Sequence, residues 1–177
     1  MTEAEAAGAL DPRWTAVVLA GGRGSRLGDV AKPQIVVAGR TLLSRVVDAI
    51  PADVRVVVVG PQQAAPRPVV FRREDPPFGG PVAALAAALE VVQTEAVGLV
   101  GADMPAAGPV LVELADRWDR EQALVPVDVH GHRQHLCSVL AAVAVRRALD
   151  DVGDVTGCSL RALLARLDVV EVRLDAG

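Results

Sequence analysis

Lysine is nearly absent from this chain: of 18 lysine and arginine residues among 177, one, Lys32, is lysine. Runs of basic residues are missing too. The arginines are scattered and the formal net charge is −4, which excludes the electrostatic footprint of a nucleic-acid binder and leaves open a small phosphorylated ligand in a local pocket. No apolar run approaches the length that spans a bilayer, so no membrane partner is expected. Cysteine is limited to Cys137 and Cys158. Two isolated thiols in a chain long enough to need no staple fit a reducing cytoplasm, and neither requires a function. Residues Met1 to Pro12 lack a cationic start and an apolar core, so they read as a flexible tail and not as a signal peptide.

What is abundant is apolar. Half of the residues are hydrophobic, enough for one domain over residues 13–177 with a full core. Thr15 to Ala20, Val54 to Gly60, Val97 to Gly101 and Val169 to Leu174 are continuous β-branched or small apolar runs, the pattern of strands covered on both faces. Helical stretches lie between them: Thr41 to Ile50, Pro81 to Gln93, Val110 to Glu121, a segment ending at Asp151, and Ser159 to Leu167. Such alternation predicts a three-layer α/β sandwich with a mostly parallel, Rossmann-like sheet, in which ligands sit beyond the carboxyl ends of the strands.

The lone lysine follows the first of these strands, in Leu19-Ala20-Gly21-Gly22-Arg23-Gly24-Ser25-Arg26-Leu27-Gly28-Asp29-Val30-Ala31-Lys32-Pro33. Backbone N–H groups of a glycine-rich turn can point inward together and hold phosphate oxygens, and Arg23, Arg26 and Lys32 add positive charge. Two familiar phosphate loops are excluded by spacing. A Walker loop needs Gly-Lys-Ser/Thr in succession, whereas Lys32 precedes Pro33. A dinucleotide-binding loop needs one residue fewer between Gly24 and Gly28, and an acid after the second strand, which ends at Val59-Gly60.

These residues resemble the signature of the nucleotidyltransferases related to molybdenum cofactor guanylyltransferase. Leu-Ala-Gly-Gly, Arg26-Leu27-Gly28 and Lys32 are similar to the family's triphosphate loop. Glu74-Asp75 before Gly79-Gly80-Pro81-Val82 is similar to its acid and glycine-proline turn. Ala102-Asp103-Met104-Pro105 is similar to its metal-binding Asp-x-Pro. Gln134 to Leu140 and Ser159 to Leu164 look like its substrate-side segment and penultimate helix. The resemblance covers about Thr15 to Leu174. Ala84 departs from it, standing where many relatives have a second glycine, and so does the carboxyl end, where relatives usually continue into an Asn-x-Asn-Thr-Pro segment.

The resemblance implies a Mg²⁺-dependent guanylyltransferase that joins GMP from GTP to the phosphate of a molybdopterin-type cofactor and releases pyrophosphate. Lys32, Arg26 and Asp103 are its implied catalytic residues, and Asp103 its implied metal ligand. Leu19, Ala20, Gly21, Gly22, Lys32, Asp75, Gly80 and Asp103 are the implied nucleotide contacts. The guanine assignment rests on Leu-Ala-Gly-Gly, since relatives that use CTP tend to carry Ala-Ala-Gly there. A cofactor-delivery protein is an implied partner, and a monomer or weak oligomer is expected.

Alternatives stand beside these readings. Asp103 has the structural alternative of a helix cap or Asx turn ahead of Val110, Asp75 that of a solvated charged loop with Arg72, Arg73 and Glu74, and Arg26 that of a surface ion pair. His130, His132 and His135 lack a nearby cysteine and a zinc-like spacing; Gly131 with Arg133 reads as a hairpin turn, and the histidines as substrate-facing loop residues. Trp14, Trp118, Phe71 and Phe78 read as core or rim packing, with Phe78 also placed to border a base. For the whole protein, the alternatives are CTP or a sugar-phosphate acceptor with the same chemistry, and a nucleotide- or partner-binding protein without turnover.

Overall fold

The structure, a computed structural model, describes residues 13–21, 35–120 and 122–173. The chain runs through β1 (Trp14–Leu19), a hairpin of β2 (Val36–Val37) and β3 (Arg40–Thr41), α1 (Leu42–Ala49), β4 (Val56–Val59), β5 (Val70–Arg72) and α2 (Pro81–Leu89). It continues with β6 (Ala96–Gly101), α3 (Ala107–Arg117), β7 (Ala123–Val127), β8 (Cys137–Ala141), α4 (Ala142–Val152), α5 (Leu160–Leu164) and β9 (Val169–Arg173).

Seven strands form one sheet in the order β5-β4-β1-β6-β8-β7-β9. β5, β4, β1 and β6 are mutually parallel, β8 runs antiparallel to both of its neighbours, and β7 and β9 are parallel. The expected mostly parallel α/β sandwich is therefore what these residues form.

The period of two in β1 and β4 decides which helix covers which face. Ala16, Val18, Val56 and Val58 pack with Val46 and Val47 of α1 and Leu111 and Leu114 of α3. Val17, Val57 and Val59 point the other way, against Leu85 of α2, Val145 of α4 and Leu163 of α5. Both faces of the central strands are thus dry, which is why they read as unbroken apolar runs.

Local chemistry sets the helix starts. Thr41 Oγ1 accepts the Ser44 N–H at 3.1 Å and caps α1. Ser159 Oγ accepts the Ala162 N–H at 3.2 Å and caps α5. Pro81 is the first residue of α2, where a missing N–H costs nothing. α3 begins at Ala107, before the predicted Val110, because Pro109 falls in its first turn and loses no helical hydrogen bond there. Among the described residues no helix is long and apolar enough to cross a membrane.

Candidate active site

The carboxyl ends of β1 and β6 lie side by side, the Ala102 N–H donating to the Leu19 carbonyl at 2.9 Å, and on the other flank of β1 the Ala20 N–H donates to the Val59 carbonyl of β4 at 2.8 Å. Beyond them opens a cavity of about 400 Å³, lined by Leu19, Gly21, Gly101 and Asp103 from these two strand ends. Glu74, Phe78, Gly80, Pro81 and Ala84, from the segment that leads into α2, form further wall, and Leu136 the approach to β8. Gly80 has φ 95, a left-handed value suited to glycine, and it caps α2 so that Pro81 enters the helix beside the cavity. The Gly157 N–H donates to the Gly79 carbonyl at 2.8 Å, tying the segment before α5 to this turn.

Four of the sequence-predicted residues, Leu19, Gly21, Gly80 and Asp103, thus line one cavity. Asp103 is exposed, two residues past β6. The cap of α3 is Ala106, with no side-chain hydrogen bond, so Asp103 does not serve as that helix's cap. Ala20 is placed differently: its side chain is buried in the core and its N–H is committed to Val59, so it fixes the direction in which Gly21 leaves the strand. Gly22, Arg26 and Lys32 lie outside the described residues.

Asp75 is exposed and does not line the cavity; its neighbour Glu74 does. Glu74 is 7% exposed, and its Oε1 accepts the Phe78 N–H at 3.1 Å. Its Oε2 is buried with no hydrogen-bond partner among the described residues. Adjacent side chains of an extended segment point to opposite sides, and the Phe78 N–H draws Glu74 inward. A buried carboxylate oxygen without a donor is costly in the free protein, and Glu74 is itself part of the cavity wall. The only sequence signal for this choice was the pair of adjacent acids itself.

The histidine segment forms a hairpin tip, bridged by Val127 and Arg133. Asp128 Oδ1 accepts the N–H groups of His132 at 2.8 Å and His130 at 2.9 Å. These N–H groups, that of His132 foremost, hold the Asp128 carboxyl below the usual carboxylate range. Burial, and after it the positive charges of Arg133 and Arg161, pushes the His135 imidazole below its ordinary pKa. His135 directly precedes the cavity residue Leu136.

Among the described residues no group of three or more acids, histidines or cysteines is arranged to hold a metal. A single exposed carboxylate at the edge of this cavity nevertheless suits Mg²⁺, which is commonly held by one or two carboxylates together with substrate phosphates and retained waters.

Known proteins resemble this chain in sequence and in fold. Over 122 residues the chain is 34% identical to the probable molybdenum cofactor guanylyltransferase of Natronomonas pharaonis, an alignment spanning 63% of this chain and 60% of that protein. It is 30% identical over 151 residues to the molybdenum cofactor guanylyltransferase of Yersinia pestis, spanning 80% of this chain and 75% of that one. The crystal structure of molybdopterin-guanine dinucleotide biosynthesis protein A from Archaeoglobus fulgidus superposes with a TM-score of 0.70 at 22% identity, covering 90% of this chain and 83% of the other. That of 2-C-methyl-D-erythritol 4-phosphate cytidylyltransferase from Thermus thermophilus gives 0.63 at 21%, covering 90% and 88%. At these identities the two structures establish a shared fold. Residues 16–171, from the first strand of the sheet to the last, match a single family, and on that match the chain belongs to the MobA-like NTP transferase domain family.

Proposed function

We propose that the protein is a nucleotidyltransferase that transfers GMP from GTP to the phosphate of a molybdopterin-type cofactor, with release of pyrophosphate. One observation carries the reading: a cavity at the carboxyl edge of the parallel strands joins the side-chain-free backbone of Gly21 and Gly80 to a single exposed carboxylate, Asp103. The names of the Natronomonas and Yersinia relatives support guanine as the base and the molybdenum cofactor as acceptor.

Nucleotidyl transfer asks little covalent chemistry of a protein. The acceptor phosphate is already an ionised nucleophile at neutral pH. Its oxygen bonds to the α-phosphorus of the nucleotide as the bond from that phosphorus to the bridging oxygen breaks, and the electron pair leaves with pyrophosphate. The protein must align these groups and stabilise the departing charge. Leu19 and Gly21 contribute backbone beside the nucleotide, and Gly80 lets the ligand approach the start of α2. Lys32 and Arg26 bring positive charge to the triphosphate from the sequence segment that follows Gly21. Glu74 accepts a hydrogen bond from an N–H of the base or a hydroxyl of the ribose, a role the family resemblance implies for Asp75. Mg²⁺, with Asp103 as its protein ligand, would neutralise charge on the phosphates. Leu136 and His135 mark the acceptor side.

Pyrophosphate release tests the reading, with Mg²⁺, molybdopterin and each of GTP, CTP, ATP and UTP in turn. Release with GTP alone is expected. Release with CTP instead would assign the other base, and tight GTP binding without release would make the protein a nucleotide-binding module.

A further inference from the structure

Resting on the nucleotide-site reading above and deepening it, we propose that Phe78 is the stacking wall of the nucleobase subsite, set in place by the carboxylate of Glu74. The chain has four aromatic side chains apart from histidine. Trp14, Phe71 and Trp118 all belong to the core on the α1 and α3 face. Phe78 instead lines the cavity, and 54% of its surface is exposed. A phenylalanine has no polar tip for water to satisfy, so its exposed area gains most from a flat apolar ligand that covers it.

The backbone at Phe78 favours a purpose-built placement. Its φ is 66, in the left-handed region that bulky residues seldom occupy. The N–H of Phe78 is held by Glu74 Oε1 at 3.1 Å. On the far side the chain is equally constrained, since a side-chain carbon on Gly79 would stand 2.9 Å from Ala83 Cβ and 3.3 Å from the Pro76 carbonyl oxygen. Phe78 is therefore fixed between a carboxylate anchor and a crowded helix start.

Glu74 spends one oxygen on this anchor, and the other, Oε2, is buried without a partner among the described residues. A planar base with N–H donors on its edge meets both needs, its edge donating to the carboxylate and its face lying on the ring. An aliphatic or a sugar group offers no such face. The two contacts also divide the work. Stacking is tolerant of base identity because every base has a π-face, whereas the carboxylate selects bases that present donors.

The test compares binding of GTP with binding of inorganic tripolyphosphate, a probe without a base, by calorimetry in the presence of Mg²⁺. The proteins are wild type, Phe78→Ala, Phe78→Leu and Phe78→Tyr, each first shown to melt like wild type. Phe78→Ala and Phe78→Leu are expected to weaken GTP binding by about 10- to 100-fold, the range for losing one base–aromatic stack. Phe78→Tyr should stay close to wild type, and tripolyphosphate should bind all four alike. Undiminished GTP binding by Phe78→Ala, full affinity in Phe78→Leu, or an equal loss for tripolyphosphate would overturn the stacking role while leaving nucleotide binding intact. A wild-type protein that binds no nucleotide would overturn the proposed function as well.

Discussion

Asp103 Oδ1 lies 3.0 Å from the point that a side-chain carbon on Gly101 would occupy, so the bare backbone at the end of β6 is what leaves room for this carboxylate. Met104 Cγ and Sδ, at 3.4 and 3.2 Å from the same point, belong to a flexible side chain that can yield. Gly101→Ala should accordingly displace Asp103 more than it disturbs the fold. We expect kcat/KM to fall about tenfold with little change in melting temperature. Asp103→Asn should remove at least about 100-fold, a loss that raised Mg²⁺ does not restore. An active Asp103→Asn enzyme would take this residue out of the metal site.

Glu74 and Asp75 are adjacent acids with opposite fates, one buried against the cavity and one exposed. Glu74→Gln keeps an oxygen for the Phe78 N–H but puts an amide NH₂ where Oε2 stood, turning an acceptor into a donor. Its kcat/KM for GTP should drop by about tenfold or more, while Asp75→Asn stays within about twofold of wild type. The reverse ranking in steady-state kinetics would return the site role to Asp75.

The central strands and the ligand edge were legible because a strand covered on both faces leaves an unbroken apolar run, as in β1, β4 and β6. β7 was hidden by Pro126, which argues against a strand but is tolerated here: its carbonyl, which accepts the Gln134 N–H at 2.9 Å, and its missing N–H face the same side, past the Leu124–Val139 pair with β8 and away from the ladder with β9. β5 is only three residues long, and β8 carries Ser138 within its apolar run, so neither announces itself. Asp103, Gly21 and Gly80 were implied by the family resemblance, and Gly21 and Asp103 also follow strands whose carboxyl ends are legible as apolar runs, whereas Gly80 stands at the start of α2. The choice of Glu74 over Asp75 was not legible, since it depends on one hydrogen bond from the backbone of Phe78.

Lys32 is a single lysine in an arginine-rich chain, and an ammonium is a compact point charge where a guanidinium is a planar fork. Lys32→Arg should therefore lower kcat/KM by about tenfold although the charge is kept, with thermal stability unaltered. A fully active arginine variant would show that only charge is needed at this position.

Gly98 in β6 lies beneath the Trp14 ring, where a side-chain carbon would come within 2.6 Å of Cζ3 and 2.7 Å of Cε3. The ring is rigid and packs against the core, so it cannot swing aside cheaply. Gly98→Ala should destabilise by about 1–3 kcal/mol through overpacking. Adding Trp14→Leu should recover part of that loss, a coupling that denaturant melts of the two single variants and the double variant would measure. Additive losses would mean that the ring does not set the limit.

Cys137 is 2% exposed, and burial pushes its thiol from 9.0 up to about 11. Because the folded-state value is raised, the native protein keeps a proton that the unfolded chain releases between these two values. The stability that results is complete below about pH 9 and is lost as pH rises toward the folded value. Few other groups confuse this window, since the chain has no tyrosine and one lysine. Urea melts at about pH 8 and about pH 10.5 should show wild type losing roughly 2 kcal/mol more than Cys137→Ala does. Equal losses in the two proteins would mean that Cys137 ionises in the folded state as readily as in the unfolded one.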